Sequence, residues 1–238
     1  MKVKAVLFDL DGTLLPMDQD KFIKAYLRGL VKVLSPRGYN PELIAEALWA
    51  STRHMFTNDG SRRNEEVFWD NFCAKLGDSV RDEEERLVEY YNTDFQNVRQ
   101  TCGFIPEAKM IVDMLHEASI PVILATNPLF PAVATESRIR WAGLDPSDFI
   151  LVTTYENSKF CKPNIEYYRE ILDKTKLIPK ECIMIGNDVT EDMVAERLGM
   201  RTFLVTDSII NKENKDISIY RHGNFTELVN FIKEIINE

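Results

Sequence analysis

The run Val3–Phe8 is apolar but for Lys4, unbroken from Ala5 to Phe8, and it stops abruptly at Asp9-Leu10-Asp11-Gly12-Thr13. A strand that alternates apolar and polar residues buries one face. A strand that is apolar throughout and rich in Val and Leu is buried on both faces, as parallel strands inside α/β sheets are. Open α/β sheets bind their ligands beyond the carboxyl ends of their strands. Two carboxylates two residues apart, followed by Gly-Thr, stand at that end here. They read as a chemical site rather than an ordinary Asp-Gly turn.

The rest of the chain divides into two styles. From Asp18 to about residue 98 the apolar spacing is helical, starting with Phe22, Ile23, Tyr26, Leu27, Leu30, Val31 and Leu34. Pro36 and Gly38 end that helix, and Pro41 opens a second. Asn58-Asp59-Gly60-Ser61 is a turn, and two more helices follow, about Val67–Leu76 and from about Asp82. After Pro106 strands and helices alternate. The expected order is helix Glu107–Ala118, strand Ile120–Ala125, helix Pro131–Trp141, strand Phe149–Val152, helix Asn164–Lys174, strand Cys182–Ile185, helix Thr190–Leu198, strand Thr202–Val205 and helix Thr226–Ile236. Such alternation predicts an α/β fold, a doubly wound parallel sheet with helices on both faces and an inserted α-helical unit. Residues 1–16 and 100–238 are the expected core, and residues 17–99 the helical insert. Asn211–Asn224 reads as a loop, with a possible edge strand at Ile217–Tyr220.

Composition narrows the function. The 238 residues are 45% hydrophobic and 28% charged, enough for one large domain or two unequal ones. A formal net charge of −9 argues against a duplex nucleic-acid partner. There is no apolar run of the roughly 18 residues that a membrane-spanning helix needs, and the first residues lack the shape of a signal peptide. Four scattered cysteines form no CxxC, so reduced thiols and a cytoplasmic location are expected. Monomer and homodimer both remain open.

DLDGT resembles the first motif of the haloacid dehalogenase-like (HAD) hydrolase superfamily. The resemblance implies that Asp9 is the nucleophile and Asp11 the general acid/base, on a Rossmann-like core. Three further motifs match in order, each near a strand end. Thr126-Asn127 ends the strand IPVILA, where the family's second motif places a Ser or Thr hydroxyl that binds phosphoryl oxygen. Lys162 precedes Pro163 and the next helix, where the third motif falls. A carboxylate attacking a dianionic phosphate needs such a cation to neutralise repulsion and keep Asp9 ionised. Gly186-Asn187-Asp188-Val189-Thr190-Glu191-Asp192 matches the fourth, metal-binding motif, although Asn187 stands where the common family pattern has Asp. Magnesium takes oxygen ligands, one or two carboxylates plus waters and substrate phosphate. The resemblance implies Asp9, the main-chain carbonyl of Asp11, and Asp188, with Asp192 as ligand or support. Which of Asn187, Asp188 and Asp192 touches the metal stays open.

Asp11 also selects among family chemistries. Cleaving a C–O–P ester needs a proton for the leaving oxygen, and the family's dehalogenases and phosphonatases lack an acid at this position. The expected activity is magnesium-dependent hydrolysis of a small phosphorylated metabolite through an aspartyl-phosphate, with neither nucleic acid nor membrane as partner. A phosphomutase of the same family is the first alternative, and a non-catalytic phosphate-ligand-binding protein the second. The helical insert matches the family's cap in position and size and is expected to choose the substrate. Within it Arg62 and Arg63 on the turn Asn58–Arg63 are the expected contacts to an anionic substrate.

Overall fold

In the computed structural model, which describes residues 2–238, six parallel strands form one sheet. They are β1 (Ala5–Phe8), β2 (Val122–Leu124), β3 (Leu151–Val152), β4 (Cys182–Gly186), β5 (Arg201–Val205) and β6 (His222–Gly223). Their spatial order is β3-β2-β1-β4-β5-β6. The chain therefore starts in the middle of the sheet and builds outward on one side, then on the other. The direction of growth reverses between β1 and β4, and crevices for ligands open at such a reversal. Every residue of β1 is fully buried, as its unbroken apolar run requires.

Alternation along β1 sorts the two faces. Val6 and Phe8 point into the larger apolar cluster, with α5 (Pro106–Glu117), α6 (Ala132–Trp141) and α8 (Phe225–Ile236). Ala5 and Leu7 point into the opposite cluster, with Tyr167, Tyr168 and Ile171 of α7 (Ile165–Thr175). The larger cluster continues from α6 into the inserted helices, where Trp141 meets Phe95 at 5.0 Å between ring centroids.

The insertion consists of α1 (Gln19–Leu34), α2 (Pro41–Phe56), α3 (Asn64–Leu76) and α4 (Glu84–Asn92), followed by a 3₁₀ segment, Asp94–Thr101. Local chemistry sets their ends. The Asp18 side chain accepts the Lys21 N–H at 3.1 Å and caps α1. Asn40 caps α2 immediately before Pro41, whose ring suits a first helical position. The two chain crossings into the insertion run side by side: Met17 pairs antiparallel with Cys102, and the Gly103 N–H donates to the Pro16 carbonyl at 2.7 Å. Among the described residues no helix is long and apolar enough to cross a membrane.

Two expectations need correction. Thr190–Leu198 is not an α-helix: turns lead into a 3₁₀ helix, Met193–Leu198. The Asp188 carboxylate accepts the N–H groups of Thr190 and Glu191 at 2.7 and 2.9 Å, and the Asp192 carboxylate turns back to the Asp188 N–H at 2.9 Å. These side-chain bonds compete with the regular helical ladder and tighten the turn. The edge strand is His222–Gly223, not Ile217–Tyr220. Ile217 and Tyr220 instead pack beneath the sheet edge against Val189, Met193 and Leu204.

Candidate active site

Strand order alone brings the chemistry together. Thr126 lies just beyond β2, Asp9 just beyond β1, and Asn187 just beyond β4, and these three strands are neighbours. The Asp9 N–H donates to the Ile185 carbonyl at 2.9 Å, which continues the ladder past the end of β1. Thr126 is held by its main chain: its carbonyl accepts the Thr153 hydroxyl at 2.6 Å and the Tyr167 hydroxyl at 2.9 Å. Its side chain is left to line a cleft of about 190 Å³ with Asp9, Asp11, Asn127, Asp188 and Glu191.

Lys162 reaches the same point from the loop before α7. Its ammonium donates to Asp9 Oδ1 at 2.8 Å and to Asp192 Oδ1 at 2.6 Å, and the side chains of Lys162 and Asp192 are each only 1% exposed. Burial works against the ammonium, but the Asp192 and Asp9 carboxylates outweigh it and hold the amine well above its ordinary pKa. Asp192 uses both oxygens within the protein, one on Lys162 and one on the Asp188 N–H. Its place is behind Lys162, as the carboxylate that fixes the ammonium against Asp9. A side chain on Gly186 would collide with it, since a Cβ there would lie 2.1 Å from Asp192 Oδ2.

The loop Leu10–Leu15 folds tightly on itself, with Gly12 N–H to Leu15 carbonyl and Leu15 N–H to Leu10 carbonyl bonds of 2.8 Å. Gly12 has φ +92° and passes over Asn187, whose Nδ2 would sit 2.3 Å from a Cβ at that position. Both the backbone conformation and the close approach require glycine. The Thr13 hydroxyl donates to Asn187 Oδ1 at 3.2 Å, and Asn187 Nδ2 donates to the Ser208 carbonyl at 2.7 Å. Asn187 thus bonds the first motif loop to the β5 side of the cleft.

This loop delivers Asp11 to a setting unlike that of Asp9. Asp11 Oδ2 pairs with the Arg138 guanidinium of α6, while Asp11 Oδ1 is buried without a hydrogen-bond partner. Burial pushes its carboxyl above the ordinary value, Arg138 opposes this, and the Asp9 charge adds to it. Arg138 is completely buried and is held by Thr135 Oγ1 at 3.3 Å and by the Phe130 ring, 4.4 Å from its Cζ.

Asn127 donates to Glu191 Oε2 at 2.9 Å and to the Lys162 carbonyl at 3.4 Å. Burial raises the Glu191 carboxyl to about 7; Asp192 and Asp188 add to this, against Lys162 and Asn127. Arg62 and Arg63 do not reach the cleft. Arg62 pairs with Asp70 at 2.6 Å and Arg63 with Glu66 at 3.5 Å, on a separate, exposed surface. Their turn serves as a clasp. Asn58 Nδ2 bonds Asn64 Oδ1 at 2.9 Å, Asn64 Nδ2 lies 3.3 Å from Cys161 Sγ, and the Asn64 N–H donates to the Ser158 carbonyl at 2.8 Å. The turn's polar backbone is satisfied against the loop that carries Lys162, and this leaves its arginines facing solvent.

A family model described as haloacid dehalogenase-like hydrolase matches residues 6–205. The chain belongs to this family. Among curated proteins it is similar to the pyrophosphatase PpaX of Bacillus cereus (strain G9842), 24% identical over 206 residues, which cover 87% of this chain and 84% of the relative. Among solved structures it is similar to a HAD phosphatase from Thermococcus onnurineus, with a TM-score of 0.61, 20% identity and 98% coverage of both chains. It is also similar to a 2-haloacid dehalogenase from Pseudomonas syringae pv. Tomato DC3000, with a TM-score of 0.63, 19% identity, and coverage of 98% of this chain and 99% of the other. The HAD fold thus carries both ester and carbon–halogen chemistry at similar likeness to this chain, so its own residues must decide between them.

Two residues at this HAD site, Arg138 and Glu191, escaped the sequence reading. Arg138 stands four residues after Ala134, on the stripe of α6 that faces the core. A cation on a core-facing stripe is the signal that a buried carboxylate awaits it. Glu191 carried no such signal, since acids in a first helical turn are ordinary.

Proposed function

We propose that the protein hydrolyses a small phosphomonoester in two steps, with Asp9 as nucleophile and Asp11 as general acid and then general base. The observation that carries this reading is the contrast between two carboxylates on one loop: Asp9 takes the Lys162 ammonium, whereas Asp11, paired through one oxygen with Arg138, keeps its other oxygen buried without a partner and its carboxyl raised above the ordinary value. A carboxyl whose surroundings raise its pKa is suited to hold and deliver a proton. In the first step an Asp9 oxygen bonds to phosphorus, the ester P–O bond breaks, and Asp11 gives its proton to the leaving oxygen. In the second, Asp11 takes a proton from water, whose oxygen attacks phosphorus and releases phosphate and free Asp9. The Thr126 hydroxyl and Lys162 receive the phosphoryl oxygens. Arg138 orients the Asp11 carboxylate.

The donor set at this site suits magnesium. Among the described residues no three His, Cys, Asp or Glu side chains converge to hold an ion by themselves. The available donors are hard oxygens: the Asp9 and Asp188 carboxylates and the Asp11 main-chain carbonyl, a set that leaves room for water and substrate. Bound there, magnesium would neutralise phosphoryl charge. We read residues 17–99 as a cap on a core of residues 1–16 and 100–238. Their paired crossings at Met17 and Cys102, and the entry of Phe22, Ile23 and Phe56 into the cleft, support this.

The test is phosphate release from a panel of phosphomonoesters, with magnesium or with EDTA, by the parent and by Asp9→Asn. Release that needs magnesium and disappears in Asp9→Asn is expected. Full activity in Asp9→Asn would sink the nucleophile assignment.

A further inference from the structure

We infer that the ester cleaved here has an apolar leaving group, an aromatic or branched aliphatic alcohol, in contrast to pyrophosphate or a phosphorylated polyol. The inference rests on the phosphatase reading and names the substrate class of that same site. Apart from Gln19 and Lys212, the polar side chains that line the cleft belong to its phosphoryl end. Beyond them the walls are Met17, Phe22, Ile23, Phe56, Leu129 and Phe130. Each comes from the insertion, from its linker, or from the loop after Thr126, so each lies where the leaving group must extend.

The cations leave the same signature. Lys162, beside Asp9 and Asp192, serves the phosphoryl end alone, and Arg138 is paired with Asp11. Arg62 and Arg63 point elsewhere. Lys212 is exposed where it lines the cleft, and Gln19 is the remaining polar side chain outside the phosphoryl end. A second phosphate, or a row of hydroxyls, would exchange its water for a wall almost without donors.

The wall is also built in advance. The Phe22 ring sits 6.3 Å from Phe95 and 6.0 Å from Phe130, both edge-on, which packs it in place as part of the wall. Phe56, at the end of α2, remains 38% exposed and has no aromatic neighbour among the described pairs. An apolar leaving group would cover it. The cleft, about 190 Å³, is smaller than the roughly 300–1,000 Å³ of pockets for drug-sized ligands, so the alcohol is compact.

The test compares kcat/KM for benzyl phosphate, glycerol phosphate and pyrophosphate in the presence of magnesium. Benzyl phosphate should exceed each of the others by at least about 10-fold, since apolar pockets discriminate by 10- to 200-fold per methylene-sized difference. Phe56→Ser, at a half-open position, should shrink the benzyl-to-glycerol ratio by about 10-fold. Glycerol phosphate as the better substrate, or an unchanged ratio in Phe56→Ser, overturns the inference while leaving the phosphatase reading intact; pyrophosphate as the better substrate overturns the inference and the monoester reading together. Hydrolysis of none of the three overturns both.

Discussion

Replacing Lys162 by methionine tests both the electrostatics and the chemistry of the site. Its ammonium lies 2.8 Å from Asp9 Oδ1 and 2.6 Å from Asp192 Oδ1, with water excluded from both Lys162 and Asp192. Methionine keeps the volume and removes the charge, which leaves two facing carboxylates without a counter-ion. Removing one partner of a buried ion pair costs about 3–5 kcal/mol. With a urea m-value of roughly 2–3 kcal/mol/M, the unfolding midpoint should fall by about 1–2 M at pH 8. The pH dependence follows from the sign of the shift. Burial raises the Asp192 carboxyl to about 6 even against the pull of Lys162, and removing the ammonium lifts it further above its unfolded value of about 3.9. The folded variant then binds more protons than its unfolded chain. Its stability is highest at low pH and is lost as pH rises through the raised values. The stability gap between parent and variant should therefore be wide at pH 8 and narrow at pH 5, measured in EDTA. Turnover should drop by at least about 10²-fold, the usual effect of removing one group that stabilises developing charge. Adding Asp192→Asn should restore stability but not turnover. A Lys162→Met variant as stable as the parent at pH 8, or a gap that does not change with pH, refutes the reasoning.

Asp11→Asn should lower turnover of alkyl phosphates by about 10²–10⁴-fold and that of p-nitrophenyl phosphate far less, because an activated leaving group needs no proton; equal losses on both would remove Asp11 from that role. Arg138→Met should show the same leaving-group signature and be non-additive with Asp11→Asn, as residues acting through one another are; additive losses would make it merely structural. Glu191, raised to about 7 in the folded protein, binds a proton there that the unfolded chain releases near pH 4, so its charge weakens the fold progressively as pH rises. Glu191→Gln should therefore gain thermal stability over the parent at pH 8 relative to pH 5, in EDTA, and a pH-independent difference would contradict that environment.

The β1 strand and its loop were legible because local sequence is enough for them. An apolar run buried on both faces can only be an interior strand, and Gly12 at φ +92° is imposed by the turn that carries Asp11. The four inserted helices announced themselves through spacing and caps. Thr190–Leu198 misled because its apolar spacing is helical while its acids bond locally and tighten the turn. Arg62 and Arg63 misled for a different reason. A sequence shows that a charge exists, not which carboxylate lies beside it, and Asp70 and Glu66 were nearer than any substrate.

The sequence by itself determined the parallel α/β core with its helical insertion and, through its resemblance to the family motifs, singled out Asp9, Asp11, Thr126 and Lys162, which the fold brings to one place. Only the tertiary structure decided that Asp192 stands behind Lys162, that Arg138 holds Asp11, and that Asn187 bridges the first motif loop to the far side of the cleft. These pairings join residues 30, 127 and 174 positions apart. Their partners are chosen by strand order and by the need to satisfy every buried charge, and neither condition is written in a local stretch of chain.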